Sequence, residues 1–412
     1  MNTHKSFVMR NPSVLYFLAM LALFTLGVTL LAEGTGTGLI STSFVKTLGK
    51  TLCLCLIAIA MDLVWGYCGI LSLGHFAFFG LGGYMIGMWL MYERTRLIVT
   101  DALAQAEIPP TPQEIVDGIG TQIFGVVGSN EFPLIWSFAH SLTIQLILVV
   151  LVPGILALVF GWLAFRSRVT GVYLSILTQA MTLALSLYLF QNESGLRGNN
   201  GLSGLQNLPG LDAVPQSTVS IWFLWASAVA LGLGYILAAW IVSGKFGSVV
   251  RGIRDNEARV RFLGYSVETY KLFIFTVTAC IAGIAGALYY PQAGIINPAE
   301  IAPIASIYLA VWVAIGGRGR LYGAVIGAAF VSLISTWFTG GQAPDINLGF
   351  YTVQWVDWWL IVLGMSFVLV TLFAPKGIGG LVDLWIDRRA PARHGADLGP
   401  DDGSLREKEA SQ

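Results

Sequence analysis

Four polar side chains that interrupt long apolar stretches are the first candidates for chemistry in this sequence: Asp62, Ser72, His75 and Gln179. A carboxylate or an imidazole surrounded by lipid is costly, so it is expected to pair, to change its protonation state or to face water. We therefore predict that these residues line a path for a polar solute. The alternative for Asp62 is to cap a broken helix, and for His75 it is helix capping or plain packing.

The motifs of covalent and hydrolytic catalysis are missing from the sequence. Gly49-Lys50-Thr51 resembles the end of a phosphate-binding loop, but Phe44 stands where that loop needs a glycine. The four cysteines lie in apolar stretches without metal-site spacing, and the four histidines lie far apart. We expect no catalytic residue, no metal and no cofactor, so the protein is not predicted to be an enzyme. Energy for transport would come from an ion gradient or another chain.

The composition is typical of a protein that lives in lipid. Of 412 residues, 55% are hydrophobic and 11% are charged, whereas soluble domains carry about 25% charged residues. The formal net charge is zero and the mean hydropathy is +0.72. These values exclude a disordered chain, a nucleic-acid-binding surface and a typical soluble enzyme.

The apolar stretches predict an all-α membrane protein with about ten transmembrane helices, because a spanning helix needs about 20 apolar residues. The second span is expected to be broken between Gly66 and Gly74. Helices two to five and seven to ten would run in opposite senses, which permits an inverted repeat. The predicted spans are 14–32, 51–71, 73–92, 140–165, 171–190, 220–242, 272–290, 303–317, 321–338 and 357–374.

The distribution of basic residues predicts that both termini face the cytoplasm, since cytoplasmic loops collect Lys and Arg. No Lys or Arg falls within a predicted span. Lys46 and Lys50 are exceptions to the charge rule; either residues 39–50 lie flat at the outer interface or the span boundary is misplaced. With the N-terminus inside, all but five of the 23 basic residues lie inside; the five are Lys46, Lys50, Arg94, Arg96 and Arg197.

The same topology divides the chain into a membrane domain and flanking segments. A cytoplasmic N-terminus covers residues 1–13, and a membrane domain covers 14–374. This domain contains a periplasmic insert at 93–139. A polar cytoplasmic tail follows at 375–412, with disorder predicted beyond about residue 390.

The basic inner loop at 243–271 is predicted to contain a helix at about 248–263. Asp255 with Arg259, and Glu257 with Arg261, place an acid four residues before a base, which is the favourable order. Gly264 follows as a predicted C-cap. So ordered a helix suggests that another protein docks there; a solvated loop is the alternative.

Three glycines, Gly319, Gly323 and Gly327, recur every four residues toward the ninth predicted span. This spacing would place them on one helix face. Such faces allow helix backbones to approach closely in a membrane. We therefore predict a helix-packing role for them.

The sequence resembles the permease subunits of ABC importers for branched-chain amino acids and urea. The resemblance covers roughly residues 50–380 and is carried by Glu257-Ala258 followed by Gly264, by the glycine-rich stretch at 65–75, and by the segments 282–288 and 316–319. Within this family it is most similar to the urea-type permeases, through Asp62 and the segments 82–91, 291–298 and 370–377.

The resemblance implies a bacterial inner-membrane protein that works with other chains. These would be a homologous second permease, two cytoplasmic ATPase subunits that bind ATP, and a periplasmic solute-binding protein, with lipid around the helices and no nucleic acid. The ATPase would dock on the inner loop, and the candidate coupling residues are Arg251, Arg254, Asp255, Glu257, Arg259 and Gly264.

Three functions remain open at this point. The first is a permease subunit for urea or a short-chain amide, which the scarcity of cationic groups in the spans favours. The second is a permease subunit for branched-chain amino acids, which would need a partner for the carboxylate. The third, of another class, is a stand-alone channel or secondary carrier.

Overall fold

The computed structural model describes residues 11–104, 111–124, 133–169, 171–340, 346–347, 352–353, 355–373 and 377–380. The predictions for residues 1–10 and for the tail beyond residue 380 lie outside the described residues, as do parts of the 93–139 insert.

Helices dominate the described chain. In chain order they are α1 (Pro12–Leu31), α2 (Thr42–Asp62), α3 (His75–Ala104), α4 (Pro112–Phe124), α5 (Leu142–Arg166), α6 (Val172–Phe190), α7 (Gln216–Ser243), α8 (Lys245–Phe262), α9 (Val267–Ala293), α10 (Pro303–Gly316), α11 (Leu321–Thr339) and α12 (Trp355–Phe373). A π-helical turn, Leu63–Tyr67, follows α2 directly. Short 3-10 turns lie at Leu134–Phe138, Asn192–Ser194, Gly198–Asn200 and Pro298–Ile301.

Two pairs of very short strands complete the described structure. Strands β1 (Leu202–Ser203) and β2 (Ile295–Ile296) pair antiparallel, with Leu202 opposite Ile296. Strands β3 (Ile346–Asn347) and β4 (Thr352–Val353) pair in the same way. The first pair fixes the chain that follows α9 against the connection between α6 and α7.

The prediction of an all-α multi-pass membrane protein is confirmed. All ten predicted spans fall on helices, and within the described residues seven of them are long and apolar enough to cross a membrane. The other three are α3, which is less apolar, α12, whose apolar part is Trp358–Val370, and α10. With 14 residues, α10 is about 21 Å long, shorter than the roughly 30 Å lipid core.

Two boundaries differ from the sequence prediction. Helix α2 begins at Thr42, where the Ser41 hydroxyl accepts a hydrogen bond from the Phe44 N–H, so Lys46 and Lys50 lie in its first turns. Lys271 lies in the first turns of α9. The helices therefore extend beyond the predicted spans and include basic residues at their ends, because hydropathy marks the apolar centre of a helix and misses its capped polar end.

Helix α2 lies at the centre of the bundle. Of its most apolar stretch, including the π-helical turn, 83% is buried, against 17% for α1. It packs against α7, α9 and α11. The largely exposed α1 is apolar on all sides, as expected for a helix that faces lipid. We call the α2 end that carries the π-helical turn the inner end, because the predicted topology places it at the cytoplasm.

Candidate functional site

The predicted break in the second span lies directly after α2. The π-helical turn ends at Tyr67, and residues 68–74 are not helical. Gly69 has φ +80°, a left-handed conformation that suits glycine. Irregular backbone inside a membrane protein is stable only where protein or cavity water satisfies its polar groups. The hydrogen-bond partners of residues 68–74 therefore show how this irregular segment is stabilised.

Side-chain hydroxyls of α6 supply these partners. The Ser175 hydroxyl donates to the Leu71 carbonyl oxygen at 2.6 Å, and the Leu73 N–H donates to Thr178 Oγ1 at 3.0 Å. Thr182 Oγ1 lies 3.5 Å from the Leu73 carbonyl oxygen. All three side chains belong to buried residues of α6. Residues 71–73 are thus held by hydroxyl groups of α6, whereas the N–H groups of residues 68–70 donate to backbone carbonyls of the π-helical turn.

Two of the predicted path residues, Ser72 and His75, are in contact at the end of this segment. His75 Nδ1 lies 3.1 Å from Ser72 Oγ, and His75 Nε2 lies 3.3 Å from Thr278 Oγ1 of α9. All three residues are buried. The Phe76 N–H donates to the Ser306 hydroxyl of α10 at 3.1 Å. This arrangement offers neutral donors and acceptors and no charged side chain.

The other two predicted path residues lie elsewhere. Gln179 is half-buried on α6, beside Thr178. Asp62 is fully buried at the end of α2, and its Oδ1 accepts a hydrogen bond from the Gly319 N–H at 2.7 Å. Its contact is therefore with the loop between α10 and α11, which is neither a place beside His75 nor a cap on the broken helix itself.

Asp62 belongs to a contact that joins three elements at the inner end. Arg254 of α8 donates from Nη1 to the Gly66 carbonyl oxygen at 2.8 Å. A side chain at Gly66 would collide with Asp62 and with the Gly319 backbone nitrogen. The guanidinium of Arg318 lies over the Trp65 ring, 5.1 Å from its centroid. We call Asp62, Gly66, Arg254 and Gly319 the inner junction.

The predicted docking helix is present but bent. Helix α8 contains Asn256 with φ −160° and ψ 95°, outside the helical region. The Asn256 side chain accepts from the Arg259 N–H at 3.0 Å, as an N-cap does. The predicted Asp255–Arg259 pair is therefore wrong, because the bend falls between the two residues. Asp255 pairs with its neighbour Arg254 at 3.0 Å.

Glu257 connects α8 to the membrane helices. It pairs with Arg261 at 3.0 Å, four residues later as predicted, and with Lys271 of α9 at 2.6 Å. The Lys271 side chain is only 8% exposed. Arg261 also pairs with Glu268 at 2.9 Å. Because α8 has ion pairs to α9 on one side and the inner junction on the other, its position is tied to that of the bundle.

The remaining coupling candidates, Arg251, Arg259 and Gly264, lie on α8 or directly after it. Gly264 has φ +89°, and its N–H donates to the Arg261 carbonyl oxygen, which is the geometry of a helix C-cap. Arg259 is exposed. Arg251 borders a cavity of about 490 Å³ that Tyr67 and Gly319 also line.

The three glycines do not share one helix face. Gly319 lies in the loop before α11, with φ +78°, so the prediction that it belongs to the helical stripe is wrong; α11 begins only at Leu321. Gly323 and Gly327 do face α10. A Cβ at Gly323 would lie 2.7 Å from the Gly316 carbonyl oxygen, and one at Gly327 would lie 2.6 Å from Gly316 Cα.

Sequence reasoning missed the hydroxyl groups that hold the break. Ser175, Thr178, Thr182 and Ser186 recur at three- and four-residue intervals and are buried in α6. This polar stripe on an otherwise apolar helix was the signal that could have identified them.

Comparison with known proteins gives a consistent picture. The family described as branched-chain amino acid transport system / permease component matches residues 43–371. The high-affinity branched-chain amino acid transport system permease protein LivM of Escherichia coli is 26% identical over 251 residues, 55% of this chain and 56% of LivM. The inner membrane ABC transporter permease protein YjfF of Escherichia coli is 24% identical over 234 residues, 53% of this chain and 66% of YjfF.

A third relative, the autoinducer 2 import system permease protein LsrC of Klebsiella pneumoniae, is 30% identical over 116 residues, 25% of this chain and 34% of LsrC. The chain spans about half the length of the curated LivM relatives that it matches. No solved structure matches it. The family match covers most of the chain: it belongs to the permease component family of branched-chain amino-acid transport systems, and it is a multi-pass protein of the inner membrane.

Proposed function

We propose that this chain is a permease subunit of an ABC importer. It forms a transmembrane path with a second, homologous permease, two cytoplasmic ATPase subunits drive it, and a periplasmic binding protein delivers the solute. The observation that carries the proposal is helix α8, which is fixed to the bundle on one side and presents apolar side chains on the other.

The exposed side of α8 has the character of a protein-docking surface. Phe262 is 91% exposed and Leu263 is 70% exposed, whereas Val260 in the same turn is buried. Two large apolar side chains at the end of a basic helix need a partner to cover them. An ATPase subunit is the partner that the family suggests.

The contacts of α8 indicate how a docked partner would act on the path. Movement of α8 would pull on Lys271 through Glu257, and on the Gly66 carbonyl through Arg254. Gly66 lies two residues before the non-helical segment 68–74, which contains Ser72 and leads into His75 at the start of α3. A displacement at the inner end therefore reaches the break through one hydrogen bond and a few residues of chain.

The test is co-purification with ATPase subunits of the same organism's importers of this family. We expect Phe262→Ser with Leu263→Ser to abolish ATPase binding while the permease stays in the membrane. Lys245→Ser, at the other exposed end of α8, is the matched control and should bind normally. Solute uptake in cells without any ATPase partner would contradict the proposal and favour a stand-alone channel or carrier.

For the solute, urea or a short-chain amide is one candidate. The resemblance to urea-type permeases supports it, and so does the chemistry beside the break, where Ser72, His75 and Thr278 offer neutral hydrogen-bonding groups. Urea is uncharged and rich in N–H donors, which such groups accept.

Branched-chain amino acids are the second candidate. The family description and the name of LivM support it. Lys50 and Lys271 also lie within helices, directly before the predicted spans 51–71 and 272–290, so cationic groups are available close to the apolar segments.

Uptake of labelled urea and labelled leucine by a strain that lacks the gene, and then regains it, separates the two candidates. Restored uptake of only one solute identifies it. If the gene restores neither uptake, both candidates are wrong.

A further inference from the structure

A second group of polar side chains lies near the other, outer end of the bundle. Lys50 comes from α2, Tyr84 from α3 and Gln292 from α9, while Glu300 lies in the 3-10 turn between α9 and α10. We call these four residues the outer cluster. Electrostatic interactions link Glu300 to Lys50 and to Tyr84, and Gln292 lies against Gly49, the neighbour of Lys50.

The position of Glu300 is fixed by its neighbours in the chain. The Asn297 side chain accepts from the Ala299 N–H at 2.9 Å and from the Glu300 N–H at 3.3 Å. Ile301 is fully buried, and its side chain packs against Gly80 of α3. The carboxyl group is therefore held in place by a capped turn on one side and a buried anchor on the other.

The surroundings of Glu300 favour a cation beside it. Burial raises the pKa of the Glu300 carboxyl to about 7, although a hydrogen bond from Tyr290 and the charge of Lys50 act in the opposite direction. A positive group that bound next to the carboxylate would stabilise its ionised form. A cation bound beside Glu300 would therefore offset the effect of burial on its carboxyl group.

Lys50 is the complementary feature. It is half-buried in α2, and its charge interacts with that of Glu300. In the part of the chain that the structure describes, neither group forms an ion pair within 4 Å. Charged groups removed from water are normally paired. The two opposite charges thus interact without a direct ion pair, so each is able to pair with a charged group of a ligand.

Two polar atoms beside these charges also lack partners among the described residues. They are the Tyr84 hydroxyl and Gln292 Oε1. Tyr84 is fully buried and Gln292 is 6% exposed. A side chain at Gly49, the neighbour of Lys50, would collide with Gln292 Oε1. Because a buried polar atom without a partner is costly, these atoms are further sites for hydrogen bonds to a ligand.

We propose that the outer cluster is a solute-binding subsite for a zwitterionic α-amino acid, with the ammonium at Glu300 and the carboxylate at Lys50. The proposal rests on the function proposed above and selects between its two solutes. Urea has no carboxylate and would leave the Lys50 charge unpaired. The neutral groups of Ser72, His75 and Thr278 lie at the break after α2, so a solute that enters from the outer end would reach them after the outer cluster.

The test is the KM for leucine uptake in cells that contain the complete transporter, with membrane levels measured on the same cells. We expect Lys50→Met and Glu300→Gln each to raise KM about tenfold or more, because each removes one charge that holds the solute. Lys46→Met, one helical turn earlier on α2, is the matched control and should leave KM unchanged. Lys50→Arg keeps the charge and should retain most of the affinity.

The other outcomes are equally decisive. Unchanged KM in both charge-removing variants overturns the subsite and leaves the importer function intact. Wild-type uptake of urea without leucine also overturns the subsite but keeps the importer. If Lys50→Met disappears from the membrane while Lys46→Met remains, Lys50 supports the fold and the subsite is overturned. Uptake of neither solute by the wild type contradicts the proposed function itself.

Discussion

The inner junction and the outer cluster are polar sites at the two ends of the bundle, but they differ in how their polar groups are hydrogen-bonded. At the inner junction, Asp62 and Arg254 are bonded to backbone groups of other elements at 2.7 and 2.8 Å. In the outer cluster, the Tyr84 hydroxyl and Gln292 Oε1 have no partner in the described chain. Asp62 Oδ2 also lacks a partner among the described residues, so the difference lies in the hydrogen bonds to backbone groups of other elements, which tie the inner junction together and which the two outer atoms lack.

This difference separates two tasks that a transporter must combine. A junction held by hydrogen bonds between elements can pass displacement from α8 to the bundle, since Arg254 of α8 is bonded to Gly66 and Asp62 to Gly319. A ligand that forms hydrogen bonds to unpartnered buried groups removes the free-energy cost of leaving them unsatisfied, and this favours binding. The comparison therefore predicts that inner substitutions reduce stability and coupling, and that outer substitutions reduce solute affinity.

The largest effect is expected where the inner end is packed backbone against backbone. Gly323→Leu would force side-chain atoms into the Gly316 carbonyl of α10, and overpacking of this kind costs about 1–3 kcal/mol or more. We expect loss of the assembled protein, measured as its yield in mild detergent. Gly364→Leu on α12 is the control, because nothing lies within 4 Å of its Cβ position. Normal assembly of Gly323→Leu would show that α10 and α11 can separate.

The next effect concerns the ion pairs of α8. Glu257→Lys places a positive charge beside Lys271, whose side chain is 8% exposed. Because the Glu257 side chain is 29% exposed, the cost should stay below the about 3 kcal/mol of a fully buried pair. We expect uptake to be abolished and thermal stability to fall. Asp255→Lys is the control: its side chain is 66% exposed, and exposed pairs contribute about 0–1 kcal/mol. Equal effects of both substitutions would remove the special role of Glu257.

A smaller effect is expected at Asp62. Asp62→Leu leaves the Gly319 N–H without its acceptor, at a cost of about 1–3 kcal/mol, whereas Asp62→Asn keeps an acceptor and should cost less. Complex yield and uptake are to be measured on the same preparation. If Asp62→Asn assembles normally but loses uptake, Asp62 contacts the solute and the structural interpretation of the inner junction fails.

The smallest effect is expected from Tyr84→Phe in the outer cluster. Removal of a buried hydroxyl without a partner should leave stability unchanged or raise it by up to about 1 kcal/mol. The same change should raise the KM for uptake. Tyr16→Phe on the exposed side of α1 is the control. A clear loss of stability in Tyr84→Phe would show that the hydroxyl has a structural partner and would narrow the contrast between the two ends.

Local sequence signals predicted the helices well, but they did not predict contacts between residues that are far apart in the sequence. The break after α2 and the cap at Gly264 follow from glycine placement, which acts within a few residues. Ser41 and Asn256 are residue types that often cap helices, so the start of α2 at Thr42 and the bend in α8 had signals in the sequence. Both were missed because the spans were predicted from apolar periodicity, which does not identify caps. The inner junction joins residues 62, 254 and 319, and no pattern within one helix can bring them together.

The hydroxyls behind residues 71–73 have a consequence for the cost of opening the path. A backbone group in a helix exchanges its partner only when the helix unwinds, which disrupts several bonds together. The Leu71 carbonyl is bonded to Ser175 Oγ, and rotation about one side-chain bond releases it. A passing N–H group can take its place without melting any helix. Ser and Thr should therefore be interchangeable at positions 175, 178 and 182, whereas Val, which has the shape of Thr without the hydroxyl, should not.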